Sequence, residues 1–286
     1  MANSSYAAWQ RPYRQVATQT QSVIGKYLDD RGPHLGAMVA YYALLSMFPF
    51  IFLTMSTLGL FGQISQSSYL IKELERILPN QSVNDLTSLV RSVQRNAQTF
   101  LAIGLIGIVW SSLGFYSALE SALNIVFRVS NRSLVRGKWL SFLFVMASLT
   151  VLFISPALST LAIGWLDRHA PGTLNSGIIP YVISILLTGV GSFVFLMVVY
   201  RVLTNVELDR GDVWPGALFG TVLFEVSFQA VPFYLHFTDV LPALRAFGGL
   251  VLVLVWLYLM ANIIVLGAEI NWRHWVRHQP PGSGVI

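Results

Sequence analysis

The chain has 286 residues, of which 55% are hydrophobic and only 11% charged, with a formal net charge of +5. A water-soluble domain carries about 25% charged residues to wet its surface. A mean hydropathy of +0.63 therefore excludes an ordinary soluble domain and points to a chain solvated largely by lipid.

Residues 1–34 are polar and mixed, which does not fit a cleavable signal peptide. Tyr13, Val16, Thr20, Val23, Ile24, Tyr27 and Leu28 recur at three- and four-residue spacing, with Arg14, Lys26 and Asp29 elsewhere. That pattern predicts an amphipathic helix lying in the membrane interface.

Long stretches free of Asp, Glu, Lys and Arg follow, one of them broken only by Glu225, each long enough for the roughly 20 residues a spanning helix needs. They predict six spans near 36–61, 99–127, 139–165, 178–200, 213–237 and 247–270. The fold class is all-α, a polytopic membrane protein with six transmembrane helices plus interfacial amphipathic helices. Residues 1–34 form a cytoplasmic segment, 35–272 the membrane domain and 273–286 a cytoplasmic tail. The external loop 63–98 holds two further apolar stripes, interrupted at Pro79-Asn80.

Pro49 in span one and Pro232 in span five each remove a helical hydrogen bond, so both are expected kinks, and span five is a candidate broken helix. Gly104, Gly107, Gly189 and Gly191 allow close helix packing.

Orientation follows from the basic residues. Arg11, Arg14, Lys26, Arg31, Arg128, Arg132, Arg136, Lys138, Arg201, Arg210, Arg273 and Arg277 would lie on one side. Lys72, Arg76, Arg91, Arg95, Arg168 and Arg245 would lie on the other. The positive-inside rule places both termini in the cytoplasm. Cationic residues there meet anionic headgroups, so the basic balance calls for no nucleic acid as partner.

Carboxylates within spans are costly and ordinarily face a partner or a cavity. Glu225 lies deepest, while Glu120 and Glu269 sit toward the cytoplasmic ends of spans two and six. Asn124 and Gln229 each follow a glutamate by four residues and share its helix face. With Asn271 and Tyr42 they are the expected lining of a polar cavity open to the cytoplasm. Arg128, Arg132, Arg136 and Arg201 are its expected rim for anionic headgroups. The bland alternative ties these groups off between helices, Glu120 with Arg128 and Glu269 with Arg273. Trp110…Glu120…Asn124 and Trp214…Glu225…Gln229 also resemble an inverted repeat.

The segments AYYALLSMFPF, IVWSSLGFYSALESALNIVFRV, DVWPGALFGTVLFE and GGLVLVLVWLYLMANIIVLGAEIN, in that order, are similar to the YihY/BrkB family of bacterial inner-membrane proteins. The resemblance covers roughly residues 20–275 and implies six spans. It also implies a function variously labelled ribonuclease-like, serum resistance, or transport of lipids or lipopolysaccharide precursors.

The residues offer little for a nuclease. His274 and His278 have i, i+4 spacing, but no third metal ligand stands near them in sequence, and the pair reads as a solvated tail. There is no cysteine, no HExxH and no phosphate-cradling glycine loop. The expectation is a non-enzymatic inner-membrane protein without metal or cofactor, working on membrane lipids. It would transport or flip an anionic lipid or amphiphile; the alternative is a scaffold or envelope-assembly factor.

Overall fold

The computed structural model describes residues 22–60, 96–132, 178–240 and 248–278. These form six helices: α1 (Val23–Asp29), α2 (Gly32–Leu60), α3 (Ala97–Phe127), α4 (Ile178–Leu203), α5 (Arg210–Val240) and α6 (Gly248–His278). The span expected over 139–165, most of the external loop and Arg136 lie outside the described residues.

Among the described residues, three stretches are long and apolar enough to cross a membrane: Gly32–Leu53, Ala97–Val126 and Val253–His278. Thr188–Leu203 in α4 is apolar but shorter. In α5, Thr221, Glu225, Ser227 and Gln229 interrupt the apolar run. That helix continues across position 232 without the expected break.

Helix α6 is the central element, packing against α1, α2, α3 and α5, while α2 pairs with α3 and α4 with α5. The outer surface is apolar: Ile106, Leu186, Val190 and Val226 are all more than half exposed. Small residues set two of the contacts. A Cβ on Gly104 would stand 2.9 Å from the Leu53 backbone nitrogen, and one on Gly107 3.0 Å from the Pro49 ring. Gly216 and Gly267 bring α5 and α6 closer still, because a Cβ on Gly216 would meet the Gly267 carbonyl at 2.0 Å. Gly189 instead faces the Glu225 side chain, and a Cβ on Gly191 would meet nothing within 4 Å among the described residues.

The N-terminal helix differs from expectation in which side it buries. Ser22 caps α1, its Oγ accepting the Gly25 N–H at 3.0 Å. Ile24 and Leu28 face outward, whereas Lys26 is 1% exposed. Of the expected apolar stripe, Tyr27 packs against the core, and Tyr13, Val16 and Thr20 lie outside the described residues. The charged residue points into the bundle, because an ammonium there finds acceptors that lipid cannot supply.

Candidate functional site

Apart from Glu225 and Gln229, the polar residues singled out in the sequence gather at one end of the bundle, where α3, α4 and α6 finish and α1, α2 and α5 begin. They form separate, mostly satisfied clusters rather than one cavity.

In the first cluster, Lys26 Nζ donates to Glu269 Oε2 at 2.7 Å, to the Val126 carbonyl at 2.8 Å and to Asp30 Oδ2. An ammonium has three N–H donors, and all three are used. The Trp272 ring lies 4.2 Å away, adding a cation–π contact. Glu269 is thus paired with α1, not with Arg273. Nearby, the Tyr27 hydroxyl donates to Asn262 Oδ1. Burial, then the charges of Tyr258 and Glu269, push the Tyr27 phenol above its ordinary pKa.

The second cluster surrounds Glu120. Arg128 adopts φ 57°, closing α3 with a left-handed cap, and the Val129 N–H reaches back to the Asn124 carbonyl at 2.9 Å. The reversed chain delivers Arg132, whose backbone N–H donates to Glu120 Oε1 at 3.1 Å. The Arg132 guanidinium donates to the carbonyls of Val202, Leu203 and Thr204 at 2.8–3.1 Å, satisfying the end of α4. Arg128, the expected partner of Glu120, lies over Trp272 instead. Asn124 accepts the Asn205 backbone N–H at 2.8 Å and donates to Asn131 at 3.0 Å.

A third tie joins α5 to α6, where the Gly216 N–H donates to Asn271 Oδ1 at 2.7 Å. Of the expected cavity lining, Glu120, Asn124, Glu269 and Asn271 are therefore held by neighbours, although Glu269 Oε1 and Asn271 Nδ2 are buried without a hydrogen-bond partner among the described residues. Glu225 sits between α4 and α5, with Oε1 buried and without a hydrogen-bond partner among the described residues. A Cβ on Gly189 would stand 3.9 Å from that oxygen. Gln229 is exposed one turn further along α5. On the rim, Arg128 and Arg201 are exposed and Arg132 is occupied by α4.

The described open space lies elsewhere, between α2 and α3. A groove of about 600 Å³ is lined by Met38 and Tyr42 from α2, by Trp110, Leu113, Gly114, Ser117, Ala118 and Ser121 from α3, and by Asn131. The α3 residues recur at three and four positions, so they form one helix face. Its Trp110 end is apolar and 81% exposed at the indole. Ser117, Ser121 and Asn131 make the other end polar, and Asn131 connects it to the buried Asn124. Gly114 makes room for Tyr42, since a Cβ there would meet the Tyr42 ring at 2.7 Å. Of the residues expected to line a cavity, only Tyr42 borders this groove.

At the tail, the structure supplies what the sequence spacing lacked. Asp212, in the first turn of α5, lies beside His274 and His278, and one ligand atom from each falls within 4.8 Å of the others.

An apolar exterior, membrane-length helices and a polar interior at one end define a polytopic helical membrane protein. The chain belongs to the virulence factor BrkB family, whose model matches residues 23–283. It is 27% identical over 259 residues to a ribonuclease-like protein of Bacillus subtilis, YfkH, covering 88% of this chain and 93% of that one. It is 26% identical to a UPF0761 membrane protein of Tolumonas auensis, covering 84% and 80%. A UPF0761 membrane protein of Pseudoalteromonas atlantica is 23% identical, covering 82% and 78%. No solved structure matches the chain.

Proposed function

We propose that the chain is a six-span inner-membrane protein, with both termini in the cytoplasm, that binds an anionic lipid or amphiphile and moves it between leaflets. One observation carries this reading: the α2/α3 groove is apolar at Trp110 and polar at Ser117, Ser121 and Asn131. That gradient matches an acyl chain joined to a headgroup. The exposed guanidiniums of Arg128 and Arg201 serve as the headgroup rim. Glu225, with its buried unpartnered oxygen, stands apart as a second polar step for the headgroup or a proton. The reading assigns the chain no catalytic step, cofactor or nucleic acid.

The test is reconstitution into liposomes containing fluorescent anionic and zwitterionic phospholipids. Leaflet exchange of the anionic lipid should exceed that of empty vesicles. It should fall in Ser117→Trp, which fills the groove, and in Glu225→Gln. Equal rates with and without protein would remove the transport reading.

A second reading has its own support. Glu120 and Glu269 are tied to Arg132 and Lys26, as a non-transporting scaffold or envelope-assembly factor would have them. Absence of exchange in a well-folded, monodisperse preparation would favour it.

A further inference from the structure

The sequence offers His274 and His278 one turn apart at the end of α6, both able to present a ring nitrogen to one point. What makes a site of them is the register of α5. The Gly216–Gly267 contact and the Gly216 N–H to Asn271 bond lock the two antiparallel helices together. Asp212 lies one turn before Gly216 and therefore falls beside the last turns of α6. One ligand atom from each of Asp212, His274 and His278 then lies within 4.8 Å of the other two.

The supporting bonds suit coordination. His278 Nδ1 lies 2.8 Å from the His274 carbonyl, which has no proton to give, so Nδ1 is the donor there and Nε2 is the nitrogen left for a metal. Asp212 Oδ2 accepts the Asp209 N–H at 3.0 Å, which fixes the carboxylate and leaves its second oxygen available. Metal-binding imidazoles and carboxylates are typically oriented in this way by backbone groups. His274 Nδ1 is buried and has no hydrogen-bond partner among the described residues, an unmet polar atom on a residue of the cluster. The two rings lie 4.4 Å apart at 31°, side by side rather than splayed.

We propose that Asp212, His274 and His278 bind one transition-metal dication of the zinc class, clamping the start of α5 to the end of α6. Two imidazoles and a carboxylate suit zinc, whose tetrahedral shell would be completed by water. No step of the transport reading depends on this site.

The experiment is zinc titration of the detergent-purified, metal-stripped full chain, read by calorimetry and by metal content after desalting. The expected result is one zinc per chain, with the apparent melting temperature rising on addition and falling back with chelator. His274→Gln with His278→Gln should lose at least tenfold in affinity and lose the zinc-dependent melting shift. Asp212→Asn should weaken both while leaving the metal-free melting temperature near that of the parent. Undiminished binding in the histidine double variant, or no binding by the parent chain, would overturn the proposal. Because His274 is partly buried, the metal-free melting temperature of each variant shows whether it has folded.

Discussion

Removing the Lys26 ammonium is the sharpest test of how this bundle holds together. Lys26 and Glu269 are each 1% exposed, and the ammonium joins α1 to α3 through Val126 and to α6 through Glu269, with Asp30 of its own helix end as third acceptor. Lys26→Met keeps most of the volume but leaves the Glu269 carboxylate without its counter-charge and the Val126 carbonyl without its donor. Breaking a buried pair from one side costs about 3–5 kcal/mol. At about 2–4 °C per kcal/mol, the apparent melting temperature should fall by roughly 6–20 °C. The assay is heating of detergent-purified protein, scored by the monodisperse fraction surviving size exclusion. Lys26→Met combined with Glu269→Leu should recover most of the loss, since the stranded charge is then gone. A single-variant shift under about 2 °C would refute the reasoning, being under one kcal/mol. So would a double variant no better than the single.

Three other changes probe separate contacts. Gly216→Ala drives a Cβ to 2.0 Å from the Gly267 carbonyl, which as backbone cannot yield, so α5 and α6 must part. It should cost about 3 kcal/mol or more in thermal stability, whereas Gly211→Ala, with nothing within 4 Å, should be close to neutral. Arg132→Lys replaces a fork that reaches three α4 carbonyls with a single point charge. It should cost about 1–3 kcal/mol and speed hydrogen exchange at the end of α4. For Tyr27 the raised pKa means the folded state keeps its proton where the unfolded phenol loses it, so its contribution declines as pH rises above 10.0. Tyr27→Phe should flatten that alkaline decline in melting temperature, and an unchanged slope would dismiss it.

Much of the helix layout was legible because lipid imposes one rule on every span, a long apolar run with its own hydrogen bonds satisfied. The side-chain partners were not. Glu120 faces Arg128 two turns on in sequence, but the left-handed turn at Arg128 folds the chain back and presents Arg132 instead. Glu269 has Arg273 one turn away and still pairs with Lys26, which α1 brings from the far end of the chain. A single lysine on a short amphipathic helix reads as surface when the surroundings are taken to be water. With Ile24 and Leu28 facing outward, the interior is the polar side. The histidine pair was visible as a pair, and its third member was not, because Asp212 arrives by helix packing and no local spacing encodes it. The groove was missed for a similar reason. It depends on Gly114 admitting the Tyr42 ring across two helices.

These placements also suggest how the bundle divides its labour. Apolar burial gives little preference for one helix arrangement inside a bilayer, because lipid tails are as apolar as leucine. Specificity must then come from polar ties and close backbone contacts, and here the polar ties concentrate at one end. Lys26 fixes α1 to α3 and α6, Arg132 fixes the turn after α3 to α4, and Asn271 fixes α5 to α6. The α2/α3 pair departs from that pattern: along the groove it meets through Tyr42 and Gly114, and farther along through Pro49 with Gly104 and Gly107. Pro49 has no N–H, so the Leu45 carbonyl, between those two contacts, lacks its usual helical donor. On the proposed transport reading, entry at the α2/α3 groove would leave the ties of Lys26, Arg132 and Asn271 intact, whereas a path through Glu120 or Glu269 would break one.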